Sequence, residues 1–315
     1  MKNLLKRRIK LYTDHLMFKF IKPVLLVALF LITISCNDTS KSIETLKADI
    51  ETQISNIEGN VAVAFLDLDN SDNSLLINVD EQFHAASTMK VPVMIELYKQ
   101  QSEGKLNLND SILLKNEFKS IVDGSIYKMD IGEDSDDVIY SKIGTQQKMY
   151  DLMYSMIILS SNLATNVLIE VVDAKKTTAT MRTLGADKIE VLRGVEDIKA
   201  YRKGLSNSTT ANDLLMIMKA IANGNAVSKA DSDKMIDILK DQKWNDMIPK
   251  YFPKGVEVAH KTGSITGVHH DAAIVYHPNG KKYVLVLLSK NLKDFDKGTD
   301  QLAKISKSIY DFMNW

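Results

Sequence analysis

Three β-prone runs lie so close together near the C-terminus that no crossover helix fits between them. Val256 to Ser264 alternates in polarity, while Ala272 to Tyr276 and Tyr283 to Ser289 flank the segment His277-Pro278-Asn279-Gly280-Lys281-Lys282. Asn-Gly supplies the left-handed backbone of a tight hairpin turn, so the last two runs are predicted to pair. Parallel neighbours need a connection of about a dozen residues or more, usually helical. These runs are therefore expected to form an antiparallel sheet, whose apolar faces helices must cover.

The upstream pattern supplies those helices. Ile43, Leu46, Ile50, Ile54 and Ile57 recur at the spacing of one buried helix face, and Gly59 ends the run. Val61 to Leu68 and Leu75 to Val79, joined by the turn-forming Asp69 to Ser74, predict a second hairpin. Asp67, Asp69 and Asp72 lack the glycine and final glutamate of a calcium loop, so this is read as a solvated turn. From Ser87 to Ala222 the periodicity is mainly helical. A polar stretch at 123–144 interrupts it and is expected to be an insertion or extended loop, with the acidic run Glu133 to Asp137 as its solvated tip. Leu302, Ile305, Ile309 and Phe312 give a last helix one face to bury. The fold class expected is α+β, an antiparallel sheet flanked by the terminal helices plus an all-helical lobe. The α/β lobe should comprise about 43–86 and 223–315 and the helical lobe about 87–222, with a substrate cleft between them.

Charge is unevenly placed. The 40 basic residues balance 40 acidic ones, yet residues 1–36 hold seven of the bases against Asp14 alone. The body is thus mildly acidic, which argues against nucleic-acid binding. The basic stretch runs into the apolar Val24 to Ile34, too short to span a bilayer as a helix, and a polar segment follows. Residues 1–36 are therefore predicted to be a signal peptide, with Met17 an alternative start. Cys36 is the only cysteine, so no intrachain disulfide is possible. Thr33-Ile34-Ser35-Cys36 resembles the lipobox of bacterial lipoproteins, although Thr33 stands where leucine is usual. The expectation is an exported, periplasmic monomer anchored by a lipid at Cys36, with residues 37–315 as one domain.

Ser87-Thr88-Met89-Lys90 directly precedes the helical run Val91 to Gln101, where Pro92 falls early enough for a first turn. Residues three apart share a helix face, which would place the Lys90 amine beside the Ser87 hydroxyl. A serine needs a neighbouring base to become a nucleophile, and a lysine serves once burial or nearby positive charge lowers its pKa. Alone, S-x-x-K is common. Here Ser160-Ser161-Asn162 follows 73 residues after Ser87, and Lys261-Thr262-Gly263 lies on the predicted strand 101 residues beyond Ser160. Phe83 precedes the first motif, Leu163-Ala164-Thr165-Asn166 follows the second, and Ser264 follows the third.

On these motifs the chain resembles class A β-lactamases, from the first helix to the last. The resemblance implies the β-lactamase/transpeptidase-like fold and hydrolysis of a small β-lactam substrate through an acyl-serine, with no cofactor and no metal. It implies Ser87 as nucleophile with Lys90 beside it, and Ser160 as proton shuttle to the departing nitrogen. Asn162 would bind the substrate's acylamide, and Lys261 and Thr262 its carboxylate. The open Gly263 would let substrate lie along the strand edge. The amides of Ser87 and Ser264 would form the oxyanion hole. Glu196, 36 residues after Ser160 in Arg193-Gly194-Val195-Glu196-Asp197, matches the glutamate that activates the hydrolytic water, with Asp197 the alternative.

Three positions depart from the pattern. Ser161 stands where aspartate is usual, and Ala200 where an asparagine commonly helps hold the water, which weakens the expectation of fast deacylation. His270 stands where some members carry an arginine for the substrate carboxylate, and is expected to line the cleft. Neighbouring strand residues face opposite ways, so His269-His270-Asp271 is not read as a metal site. A D-alanyl-D-alanine peptidase and a non-catalytic envelope lipoprotein remain the alternatives.

Overall fold

A computed structural model describes residues 42–314. The predicted signal peptide, its lipobox-like end and Cys36 lie outside the described residues. Helix α1 (Ile43–Ser55) starts where the Ser42 hydroxyl accepts the Thr45 N–H, and it buries Leu46 and Ile50 as the periodicity requires. Strands β1 (Asn60–Asp67) and β2 (Ser74–Ile77) form the first hairpin, and β3 (Glu257–Ile265), β4 (Val268–Tyr276) and β5 (Lys282–Lys290) complete a five-stranded antiparallel sheet. Its order is β2-β1-β5-β4-β3, so the first strand of the chain pairs with the last, Asn60 facing Lys290 and Asp67 facing Tyr283. Gly280 has φ 93° in the turn before β5 and Gly267 has φ 70° in the turn between β3 and β4, conformations that a β-carbon disfavours.

Alternation divides the sheet into two faces. Val61, Val63, Phe65, Leu285 and Leu287 lie on the outer face, packed beneath α1 and α9 (Phe295–Phe312), the terminal helix that contributes Leu302, Ile305 and Ile309. The inner face presents Ala62, Ala64, Ala272, Ile274 and Val286 to the helical layer.

That layer comprises α2 (Lys90–Ser102), α3 (Met149–Ile158), α4 (Asn162–Val172), α5 (Ala174–Thr183), the short α6 (Ile198–Arg202), α7 (Ala211–Ala222) and α8 (Lys229–Lys240). Helix α7 crosses β1, β4 and β5, and the alanines beneath it let it lie close. Helix α2 is buried on all sides from Lys90 to Tyr98, the pattern of a central helix, with Pro92 in its first turn. Among the described residues no helix is long and apolar enough to cross a membrane.

The 123–144 stretch differs from a solvated loop. Phe118–Lys119 pairs with Ile126–Tyr127, and short 3₁₀ turns follow at Ile131–Glu133 and Val138–Lys142. Glu133, Ser135 and Asp137 are exposed as expected, but Asp136 is buried and accepts from Ser155 Oγ and Ile139 N. Asp134 turns inward as well, onto the first N–H groups of α4. Helix starts leave N–H groups without partners, and these two carboxylates meet a helix start and the half-buried Ser155 hydroxyl.

Candidate active site

The nucleophile candidate is delivered by strained backbone. After the two-residue strand Phe83–His84, Ala86 takes φ 45°, and a 3₁₀ turn (Ala86–Met89) runs into α2. Left-handed alanine costs about 1 kcal/mol or more and persists only where its surroundings fix it. Here His84 Nδ1 accepts the Ala86 N–H at 3.0 Å, the Ala85 N–H reaches Asn207 O at 2.8 Å, and Thr88 Oγ1 donates to Ala85 O at 2.6 Å. Ser87 is thereby left half-buried at a helix start, lining the cleft.

Lys90 is fully buried and does not spend its hydrogen bonds on Ser87. Its ammonium donates to Ser160 O (2.7 Å), Ser160 Oγ (3.2 Å) and Asn162 Oδ1 (2.9 Å). From the other side Lys261, also fully buried, donates to Ser160 Oγ at 3.1 Å and to Thr262 O at 2.8 Å. Ser160 has φ 64° just before α4, which turns its hydroxyl between the two lysines. Burial pushes Lys90 from 10.5 down to about 7, against the nearby Asp134 and Glu196 charges that oppose the fall. Lys261 is pushed well down by burial first and then by Lys90, with Asp271 opposing. Burial thus lowers the pKa of both amines, and brings Lys90 toward the range in which an amine can accept a proton.

The three motifs converge with Glu196. Its Oε1 accepts from Asn162 Nδ2 at 2.9 Å and its Oε2 from the Asp130 N–H at 3.3 Å. Burial raises its pKa, and Asp134 and Glu133 add to the rise as like charges while these two hydrogen bonds oppose it. Asp197, the alternative, has its carboxylate engaged by Ser120 Oγ, Ile121 N and Ala200 N as the cap of α6. Ala200 is fully buried, and its own helix α6 presents Ile198 and Tyr201 to the cleft.

Two residues act here that the sequence did not single out by role. Asn166 accepts the Val195 N–H at 2.6 Å and donates to Val195 O at 3.0 Å, clamping the peptide before Glu196 from inside α4. Gly194 makes room for it, since a β-carbon there would lie 2.3 Å from Asn166 Oδ1. The sequence signal was an asparagine amid the otherwise apolar Leu163 to Val172. Asn207 closes the same loop by accepting Leu192 N and Arg193 N and donating to Arg193 O.

At Gly263 the structure adds a packing reason for glycine, and at His270 it corrects an expectation. A β-carbon on Gly263 would stand 2.9 Å from both Ser87 N and Thr88 N, so its absence lets β3 lie against the nucleophile's turn. His270 does not line the cleft. It is fully buried, with Nε2–H donating to His84 O at 2.8 Å and Nδ1 accepting the Ser289 N–H at 3.2 Å, and its ring meets Phe83 edge-on. It is a strut beneath Phe83–His84, the strand that leads into the Ser87 turn. His269 points to the opposite face, stacked on Phe295 and bonded to Thr299, and among the described residues no three His, Cys, Asp or Glu cluster as a metal site.

Ser87, Asn162, Glu196, Ser264, Tyr201 and Ile265 line one cleft of about 270 Å³, with Ser264 exposed at the end of β3. A serine at a helix start, in one site with a hydroxyl shared by two buried lysines and within an antiparallel sheet covered by helices on both faces, is the arrangement of a penicillin-recognising serine hydrolase. Residues 45–313 match the profile of the Beta-lactamase enzyme family, and the chain belongs to that family. Over 286 residues it is 22% identical to Beta-lactamase PSE-4 of Pseudomonas aeruginosa, covering 87% of this chain and 92% of that one. A solved β-lactamase from Chitinophaga pinensis superposes with a TM-score of 0.74 at 23% identity, covering 85% of this chain and 99% of its own. A variant of PBP-A, solved as an acyl-enzyme with penicillin G, superposes with a TM-score of 0.73 at 25% identity over 86% of this chain and 97% of that one.

Two outcomes are expected. Gly263→Ala should slow acylation of Ser87 by about tenfold or more in single-turnover measurements, because the added methyl pushes on the nucleophile's own backbone. For His270, burial lowers the pKa from 6.5 to about 4. Between those values the unfolded chain binds a proton that the folded chain refuses, so the stability present above pH 6.5 is lost as pH falls toward 4. Thermal unfolding across that window should show a falling midpoint, with a shallower fall in His270→Gln.

Proposed function

We propose that the protein is a class A serine β-lactamase that opens the lactam ring through an acyl-serine and then hydrolyses it. The observation that carries this reading is the Ser160 hydroxyl held between Lys90 and Lys261 while Asn162 ties Lys90 to Glu196.

In acylation Ser87 Oγ bonds to the lactam carbonyl carbon and the carbon–nitrogen bond breaks. The serine proton passes to a neutral amine, Lys90 being poised for this by its lowered pKa, and Ser160 returns a proton to the departing nitrogen. Glu196 acting through a water is the other route for that first proton. The N–H groups of Ser87 and Ser264 face the oxyanion, and the unused Asn162 amide hydrogen serves the acylamide carbonyl. Lys261 and Thr262 take the substrate carboxylate, one by charge and the other by its hydroxyl. In deacylation Glu196 takes a proton from water, whose oxygen bonds to the ester carbon. The Ser87 Oγ–carbon bond breaks, the serine regains its proton, and the ring-opened acid leaves.

One second reading has an observation behind it. Ala200 is buried and offers no side-chain hydrogen bond beside Glu196, and Ile198 and Tyr201 stand on that wall of the cleft. A D-alanyl-D-alanine peptidase that acylates with penicillin and stalls would share this wall.

Purified protein should hydrolyse nitrocefin, and Glu196→Gln should accumulate a Ser87 penicilloyl adduct by mass spectrometry. A persistent adduct on the unaltered protein supports the peptidase, and unchanged turnover in Glu196→Gln removes that residue as base. We also propose export to the periplasm as a monomer anchored through lipidated Cys36, which rests on the sequence alone. Cys36→Ser should then abolish incorporation of labelled palmitate and release the protein from membranes.

A further inference from the structure

The 123–144 stretch has no part in the chemistry described so far, yet it meets the deacylation apparatus at three points. Tyr127 Oη donates to Val195 O at 3.3 Å, and the Asp130 N–H donates to Glu196 Oε2 at 3.3 Å. The third point is the Asp134 carboxylate, which accepts Asn162 N at 2.9 Å and Leu163 N at 2.8 Å across the start of α4. Neither N–H has a partner within its own helix. The cap residue Ser161 reaches only Ala164 N, at 3.3 Å, so its single hydroxyl leaves the two preceding groups to Asp134. Tyr140 Oη fixes the carboxylate from the other side at 3.1 Å.

We propose that Asp134 is a positioning residue for the hydrolytic step: lying across the N-terminus of α4, it sets Asn162, and through the Asn162 side chain it sets Glu196. The proposal rests on the reading of Glu196 as the hydrolytic base. Asp134 touches no reacting atom. Its carboxylate makes two charge-assisted bonds to adjacent backbone groups, where the helix dipole favours an anion. The Asn162 amide then spans Lys90 Nζ and Glu196 Oε1 at 2.9 Å each. Lys90 keeps two further bonds to Ser160, whereas among the described residues Glu196 has only the Asp130 N–H besides Asn162. Loosening Asn162 therefore displaces the base more than the acylation amine.

Rapid-quench mass spectrometry of the full chain with benzylpenicillin separates formation of the Ser87 adduct from its decay. Asp134→Asn, which also removes a charge that holds up the Lys90 pKa, is expected to slow decay about tenfold and to change formation clearly less. Asp134→Glu, which keeps the anion at the helix start, should recover part of the rate. In a Glu196→Gln background Asp134→Asn should slow decay no further, because both act through one group. Decay of the Asp134→Asn adduct at the parental rate overturns the proposal, as does equal slowing of both steps or an undiminished effect in the Glu196→Gln background. If Glu196→Gln traps the adduct and Asp134→Asn does not, the base stands and only the role of Asp134 falls. If Glu196→Gln clears its adduct at the parental rate, both fall.

Discussion

Lys90 and Lys261 reach the Ser160 hydroxyl from two sides, at 3.2 and 3.1 Å, and neither has measurable exposure to solvent. Burying one ammonium costs several kcal/mol unless it is neutralised or well partnered, and two in one site add mutual repulsion. The site answers with oxygen acceptors. Ser160 O and Asn162 Oδ1 serve Lys90, and Thr262 O serves Lys261. Each lysine also has a carboxylate at longer range, Asp134 and Glu196 for Lys90 and Asp271 for Lys261. These charges only partly oppose burial, and that residue of desolvation makes an amine basic enough to act yet able to release its proton.

Holding so many partners around one hydroxyl requires unusual backbone. Ala86, Ser160 and Glu196 all have left-handed φ, at 45°, 64° and 60°, and each belongs to a different segment of the site. Such residues cost on the order of 1–3 kcal/mol each and survive where neighbours over-determine them. For Ala86 the restraint comes from His84 and, beneath it, from neutral His270, whose donor fixes His84 O. The same close packing explains Gly263, since β3 can approach the nucleophile's turn only without a side chain there. The strain and the tight contact are therefore one design, in which sheet and helix press on the Ser87 turn from both sides.

Much of this was legible in the sequence, for physical reasons that also mark where legibility stopped. Helix and strand periods placed α1, both hairpins and α9, and Asn279-Gly280 marked its turn, because those signals depend on residues close in the chain. Ser87, Lys90, Ser160, Asn162, Lys261 and Glu196 were anticipated through the resemblance their motifs carry to class A β-lactamases, and the structure brings them to one cleft or its floor. What escaped depends on contacts between distant segments. Nothing around His270 says that its ring lies under His84, which is 186 residues away, and nothing around Asp134 says that it caps a helix beginning 28 residues later. Composition marked the acidic run as solvent-facing. A carboxylate near a helix start finds stronger partners than water, and composition cannot see that start.

The two halves of the reaction rest on unequal foundations. Ser87 and Lys90 sit at the start of the central helix, and Lys261 lies within a strand paired along its length. Moving any of them means moving the core. Glu196 instead sits on a loop held by side chains, through Asn166 and Asn162 from α4, Asn207 from its far end, and the backbone of Asp130. Each such bond contributes only about 1 kcal/mol net, and a shift of about 1.4 kcal/mol in a barrier changes a rate tenfold. Sequence change in these loops can therefore alter how fast the acyl-enzyme is cleared without disturbing how it forms. This is the physical basis on which one fold can serve both lasting acylation and rapid turnover.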